Sequence, residues 1–386
     1  MLVSYMYTRE EVFSLERRII FVILAASLFL PLVFGASTAS DDYPKTIIDS
    51  AGREVTIQMP IERIIVMHTD AAEAVRLLGA EDMIVGMTDT VQKQSDYFPE
   101  LQDGEIVGTW REFDFEKIAQ IAQDGKDTIV PNIIVIGYPS GSYQGSSYAV
   151  DSIDSGLANF VDSGSISVVG FNLNNPETME QELTALAEML EKEDEAQNFL
   201  DWYYEKVDDV KSAVEGLPLQ RVYVERPPSK GLGELKTAGT LYEIHNLLEL
   251  AGGYNICREA ASSPIVTWEW VITENPDVIL MLPSTLDPSI KGLGWDPEAH
   301  GALIEGMGDD LTNRNGAEFV SAVNNDQVYV VYRDFFFGAD QAVGLTYLAK
   351  IMHPDVELDP DEVYREYLDR VGLEYPEGNV FAYPIV

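Results

Sequence analysis

The sequence predicts an α/β protein of two lobes, each with a parallel-type sheet, joined by a single long connecting helix with a ligand cleft between the lobes. Three observations carry this. Short continuous apolar runs alternate with amphipathic stretches in both halves of the chain, the pattern of parallel strands covered on both faces. Between the halves, Pro176–Val214 places apolar residues at three- and four-residue steps with few helix breakers. The chain has 386 residues, 46% of them hydrophobic and 10% aromatic, which is material for two cores.

The elements follow in order. Thr46–Met59 reads as two short strands around Ala51-Gly52, a hairpin signal. Arg63–His68 (RIIVMH) is a buried-strand run. Asp70–Leu78 is a helix capped by Asp70 or Thr69, with Gly79 after its end. Met83–Met87, Asn132–Gly137 and Ser165–Phe171 are further strands, and Phe113–Gln123 is a helix. Pro176–Val214 is either one helix of about 35 residues, about 50 Å long, or two helices meeting near Lys192–Glu195. The βα rhythm then resumes. Arg221–Glu225, Asp277–Leu282 and Asn325–Tyr332 are strands; Thr240–Leu250, Trp270–Asn275, Gly344–Met352 and Asp361–Arg370 are helices. The expected divisions are a first lobe over 41–175, the connector over 176–216, a second lobe over 217–352 and a helical extension over 353–386 packed on the second lobe.

Charge excludes some functions. The chain carries 25 Lys+Arg against 65 Asp+Glu, a formal net charge of −40. Nucleic acid would be repelled at long range, so none is expected as a partner. Acidic excess of this size also keeps a protein soluble in high salt. The single cysteine, Cys257, excludes an intramolecular disulfide framework and any cysteine-based metal cluster.

The N-terminus reads as an address. Arg17 and Arg18 precede an apolar run over residues 19–34, broken by Pro31, and small residues follow from Gly35 to Ser40. The run is shorter than the about 20 apolar residues of a spanning helix, so residues 1–39 read as a secretory signal peptide. An uncleaved anchor is the alternative. The expected location is extracytoplasmic, with membrane contact only through a retained N-terminus or a membrane-bound partner.

Ligands of such sheets bind at the carboxyl ends of the strands and in clefts between lobes. The residues there are His68 after the first buried strand, Trp110 and Arg111 before the Phe113 helix, and Tyr138 after Asn132–Gly137. In the second half they are Arg226, Trp268, and Arg333 with Phe335, Phe336 and Phe337. Aromatic faces and guanidinium forks suit a bulky planar or chelated ligand with negative charge. The bland alternative for each aromatic is core packing. Three successive Phe cannot all face one core, so at least one is expected to be exposed or to line a cavity. Catalytic signals are weak. His68, His245, His300 and His353 form no metal-ligand spacing, and there is no nucleophile elbow and no phosphate loop.

Taken in order, several short motifs carry a likeness. They are D-x-x-G-R-E-V (Asp49–Val55), P-x-E-R-I-I-V (Pro60–Val66), G-T-W and the helix after it (Gly108–Ile118), and Gly137-Tyr138. In the second half come L-L-E-L-A-G-G-Y-N-I (Leu247–Ile256), E-N-P-D-V-I-L (Glu274–Leu280) and Val328–Val331. From about Tyr43 to about Met352 the chain resembles the substrate-binding proteins of ABC importers for iron–siderophore complexes, haem or cobalamin. That family has two α/β lobes joined by one long helix. The tail pattern H-P-D with Y-R-E-Y-L resembles an archaeal branch of it. The lipoprotein cysteine of many members is absent.

The resemblance implies a non-enzymatic capture protein without a resident cofactor, its partners a metal chelate and an ABC permease. It implies that Trp110 and Tyr138 contact the chelate, with Trp268 a weaker candidate. It also implies that one surface glutamate per lobe, Glu116 and Glu269, docks on the permease; ordinary solvated glutamates are the alternative. Arg111, Arg226 or Arg333 would pair with the ligand's negative groups. His68 is a conceivable axial ligand to haem iron or cobalt. Three other readings stay open: a molybdate- or tungstate-type oxyanion as the ligand, a two-lobed chelatase using His68 with Asp70, or a surface sensor or adhesion module that binds protein.

Overall fold

Apolar runs become the strands of two five-stranded sheets in the computed structural model, which describes residues 43–109, 112–139, 149–227, 232–283, 293–295 and 308–384. The expected signal segment lies outside the described residues. The first lobe opens with the antiparallel hairpin β1 (Lys45–Ile48) and β2 (Glu54–Ile57). Its turn needs Gly52 at φ 74°, and the Asp49 carboxylate accepts the Ala51 and Arg53 N–H groups at 3.0 Å. Then come β3 (Arg63–Val66), α1 (Thr69–Leu77), β4 (Ile84–Met87), α2 (Asp89–Gln92), β5 (Glu105–Ile106), α3 (Phe115–Gln123), β6 (Ile133–Gly137), α4 (Val150–Leu157) and β7 (Ser167–Gly170). The sheet order is β5-β4-β3-β6-β7, all parallel. Strand β3 shows why the run is continuously apolar. Ile64 and Val66 enter one core while Ile65 and Met67 enter another on the opposite face.

The connector is two helices, α5 (Met179–Leu190) and α6 (Glu193–Val214), rather than one. The break falls at Glu191, which takes a left-handed φ of 58°. Glu193, Asp194 and Glu195 then fill the first turn of α6, where acidic side chains favour a new helix start. Helix α6, at 22 residues, is the long member.

The second lobe contains β8 (Gln220–Glu225), β9 (Leu235–Lys236), α7 (Ile244–Leu250), β10 (Gly253–Asn255), β11 (Ile265–Val266), α8 (Trp268–Glu274), β12 (Val278–Met281), α9 (Ser321–Asn324), β13 (Val328–Val331) and α10 (Gln341–Met352). The tail adds α11 (Pro360–Arg370) and β14 (Ala382–Tyr383). The sheet order is β10-β8-β12-β13-β14, parallel except for β14. The tail reaches the second lobe through β14, which pairs with β13. It also reaches beyond it: Glu366 accepts Trp202 Nε1 at 2.7 Å on α6, and Tyr367 meets the first lobe. One contiguous core runs from β1 through α5 and α6 to β14. Among the described residues no helix is long and apolar enough to cross a membrane.

Candidate functional site

The strand orders locate the site. In the first sheet the order reverses between β3 and β6, and in the second between β8 and β12. Such a reversal leaves a crevice beyond the strands' carboxyl ends. His68, Thr69 and Asp70 follow β3, Tyr138 follows β6, and Arg226 follows β8. These residues stand at the carboxyl ends of the two sheets, one set in each lobe.

The first-lobe wall is a braced tyrosine. Tyr138 is half-buried, and its ring stacks on His68 with centroids 4.0 Å apart and 13° between planes. Its hydroxyl donates to Asp70 Oδ2 at 3.1 Å, which also accepts Asn174 Nδ2 at 3.1 Å. His68, not Asp70 or Thr69, caps α1: its Nδ1 accepts the Ala71 N–H at 3.2 Å. It is only 3% exposed. Burial pushes its pKa down to about 3, partly opposed by the Gly137 and Phe171 carbonyls. An axial-ligand or general-base role needs an accessible ring nitrogen, and this ring is committed to capping and bracing. Burial, and then the charge of Glu73, pushes the Asp70 carboxyl up to about 7.

The second-lobe wall combines two arginines with two aromatic rings. The Arg226 guanidinium lies over the Tyr242 ring at 4.0 Å and donates to Ser263 Oγ at 2.7 Å. Tyr242 meets Phe337 edge-on at 6.1 Å, and Arg333 lies over Phe337 at 4.9 Å. Burial raises the pKa of the Tyr242 hydroxyl, opposed by Arg333 and Arg226. Carboxylates sit among these groups. The charge of Glu243 in the second lobe adds a small upward push on Asp70 of the first, and burial, then the charges of Glu73, Asp334 and Asp70, raises the pKa of Asp340. The two lobes meet beside these groups, where the Ala339 N–H of the second lobe donates to Glu73 Oε2 of the first at 2.9 Å. Among the described residues, no group of three or more His, Cys, Asp or Glu side chains is arranged to hold a metal ion.

The predicted site residues separate into three sets. His68 and Tyr138 stack together at the end of the first sheet, and Arg226 and Arg333 gather around Tyr242 and Phe337 at the end of the second. Trp110 and Arg111 lie outside the described residues. Trp268, Phe335 and Phe336 are core. Trp268 is buried, donates its Nε1 to the Asn315 carbonyl at 3.1 Å and packs under Arg314. Phe335 is enclosed by Tyr332, Tyr347, Tyr364 and Phe381. The three-Phe argument holds only for Phe337, which is half-buried. A short 3₁₀ turn, Arg333–Phe336, lets Phe335 and Phe336 both point inward. Glu116 and Glu269 are exposed, each in the first turn of its helix, α3 and α8. Sequence reasoning missed Tyr242, Glu243, Glu73 and Asp340. Tyr242 lies within a stretch read as helix, but the chain there is a turn that brings it under Arg226.

A family model described as "Periplasmic binding protein" matches residues 158–334. Comparison with curated proteins gives no match. Among solved structures, the fold is similar to that of a TroA-like periplasmic binding protein, FepB, from Veillonella parvula. The TM-score is 0.66 at 22% identity, over 88% of this chain and 99% of that one. It is similar to the Haemophilus influenzae molybdate periplasmic binding protein MolA bound to molybdate, with a TM-score of 0.62 at 19% identity over 86% and 99%. It is also similar to a periplasmic heme binding protein from Pseudomonas aeruginosa, with a TM-score of 0.54 at 18% identity over 77% and 95%. At these identities the likeness is one of fold. The family match covers residues 158–334, and the two-lobed α/β fold is shared with these periplasmic binding proteins along most of the chain's length.

Proposed function

We propose that this protein is the capture component of an ABC importer, exported from the cytoplasm, and that its cargo is a bulky metal chelate with negative charge, of the iron–siderophore, haem or cobalamin kind. The observation that carries this reading is the second-lobe wall, where Arg226 and Arg333 flank Tyr242 and Phe337. Guanidinium forks recognise carboxylate and phenolate oxygens, and aromatic edges and faces give contact area. On a chain of net charge −40 an anionic ligand meets long-range repulsion. Local arginines are therefore needed for capture. Across the crevice Tyr138 offers a flat face held by His68 and Asp70. Trp110 and Arg111 stay in this reading through their place just ahead of α3. Glu116 and Glu269 would present the loaded protein to the permease, one exposed carboxylate at a helix start on each lobe.

An oxyanion is the second reading. The paired arginines suit it, and the fold neighbour from Haemophilus influenzae holds molybdate. The chelatase reading loses its base, because His68 is a buried helix cap.

Tryptophan fluorescence titration separates these. The panel is ferric siderophores, haemin, cobalamin, molybdate and tungstate, each at high and low salt. The proposal expects saturable quenching by a chelate. A response to oxyanions alone moves the cargo to the second reading, and silence across the panel overturns the importer reading.

A further inference from the structure

We propose that Glu73 is the positioning residue that fixes the width of the crevice, and that α11 is the strap that holds it there; this rests on the crevice being the ligand site. Glu73 stands three residues after Asp70 on α1, so both side chains leave the same face of one helix. It is 5% exposed. Its Oε1 accepts the Tyr97 hydroxyl from the first lobe and the Tyr367 hydroxyl of α11, the latter at 2.6 Å. Its Oε2 accepts the Ala339 N–H of the second lobe at 2.9 Å. Three separate parts of the chain therefore converge on one buried carboxylate.

The contact lies next to the ligand wall. Ala339 follows Gly338, which follows Phe337. Gly338 has a φ of 78°, and a Cβ there would overlap Glu73 Oε2, so only glycine allows the close approach. Helix α1 thus ties both walls: Asp70 holds Tyr138 in the first, and Glu73 holds the segment carrying Arg333 and Phe337 in the second. Helix α11 adds a cross-tie to the connector. Glu366 pairs with Lys206 at 2.8 Å and accepts Trp202 Nε1, and Arg370 Nη1 donates to Asn198 Oδ1 at 2.6 Å. Opening the crevice at this point would take the Ala339 and Tyr367 donors from the Glu73 carboxylate, which is unfavourable. The connecting helices alone do not impose that restraint.

The test is the interlobe distance in the full chain without ligand, so it stands apart from the identity of the cargo. Nitroxides at Gln120→Cys on α3 and Thr273→Cys on α8, in a Cys257→Ser background, report it by pulsed electron resonance. The parent should give one narrow distance distribution. Glu73→Gln, Gly338→Ala and Tyr367→Phe should each broaden it and shift it to longer distance. Glu182→Gln is the control. Glu182 is an equally buried carboxylate that accepts Ser50 Oγ and the Leu173 N–H within the first lobe and α5, so its loss should lower stability and leave the distribution narrow. Distributions for folded Glu73→Gln and Tyr367→Phe that superimpose on the parent would overturn the proposal. If Glu73→Gln does not fold, the milder Tyr367→Phe decides by itself.

Discussion

His68 Nδ1 and Asp70 Oδ2 lie 3.8 Å apart, and burial drives both groups towards their neutral forms rather than into an ion pair. The signs are opposite. Asp70 is raised from 3.8 to about 7, so its contribution is lost as pH rises through that window. His68 is lowered from 6.5 to about 3, so its contribution is lost as pH falls through that window. Between about pH 4 and 6.5, each state of the chain therefore holds one proton on the pair: on Asp70 when folded, on His68 when unfolded. Their slopes cancel. Asp70→Asn should unmask His68, and the slope of stability against pH should become more positive than the parent's by about 1.4 kcal/mol per unit there. His68→Asn, which keeps a capping acceptor, should do the reverse. Urea unfolding across pH measures both, and parallel slopes in the two variants would contradict the assignment.

The arginine wall makes a direct prediction. Arg333→Ala and Arg226→Ala should each weaken an anionic chelate by about 10- to 100-fold, the range of a charge-assisted hydrogen bond. The salt dependence of binding should fall with them. Calorimetric titration at two ionic strengths reads both effects.

A buried ion pair in the second lobe is structural. Arg314 grips Glu225 in a bidentate pair at 2.7 and 2.8 Å, at the end of β8 beside Arg226. Both side chains are under a tenth exposed. Glu225→Gln leaves a buried guanidinium without its counter-charge and should cost about 3–5 kcal/mol. Phe335→Ala, a core truncation, should cost a similar amount, about 3–5 kcal/mol. Denaturant midpoints check both, and ligand affinity in the folded fraction should be little changed for Phe335→Ala.

The docking proposal predicts a split between binding and transport. Glu116→Lys with Glu269→Lys should abolish uptake in cells carrying the cognate permease, while affinity measured on the purified protein stays at the parent value. An equal loss in both assays would place these residues in the crevice instead.

The sequence made the sheets legible because parallel strands buried on both faces must be apolar without interruption, as RIIV and IIVIG are. The strand ends, and with them the positions of Tyr138 and Arg226, followed from those runs; the order of the strands in each sheet did not. What stayed hidden was set by long-range contact. β9 and β11 are two residues each and exist through their pairing. β14 is an edge strand recruited from the tail by β13. Glu73, Asp340 and Glu225 are buried, yet with 65 acidic residues nothing local distinguishes them from solvated ones. Phe335 and Trp268 looked like lining residues because a strand-end position was legible and side-chain direction was not.

The most direct measurement is calorimetric titration of the parent protein and the Arg226→Ala/Arg333→Ala double variant with the chelate that quenches its fluorescence. The account predicts saturable one-to-one binding by the parent and a loss of at least about 100-fold in the double variant, with the fold intact by circular dichroism. Equal affinity in both proteins would contradict it, since the ligand would then not sit against the arginine wall.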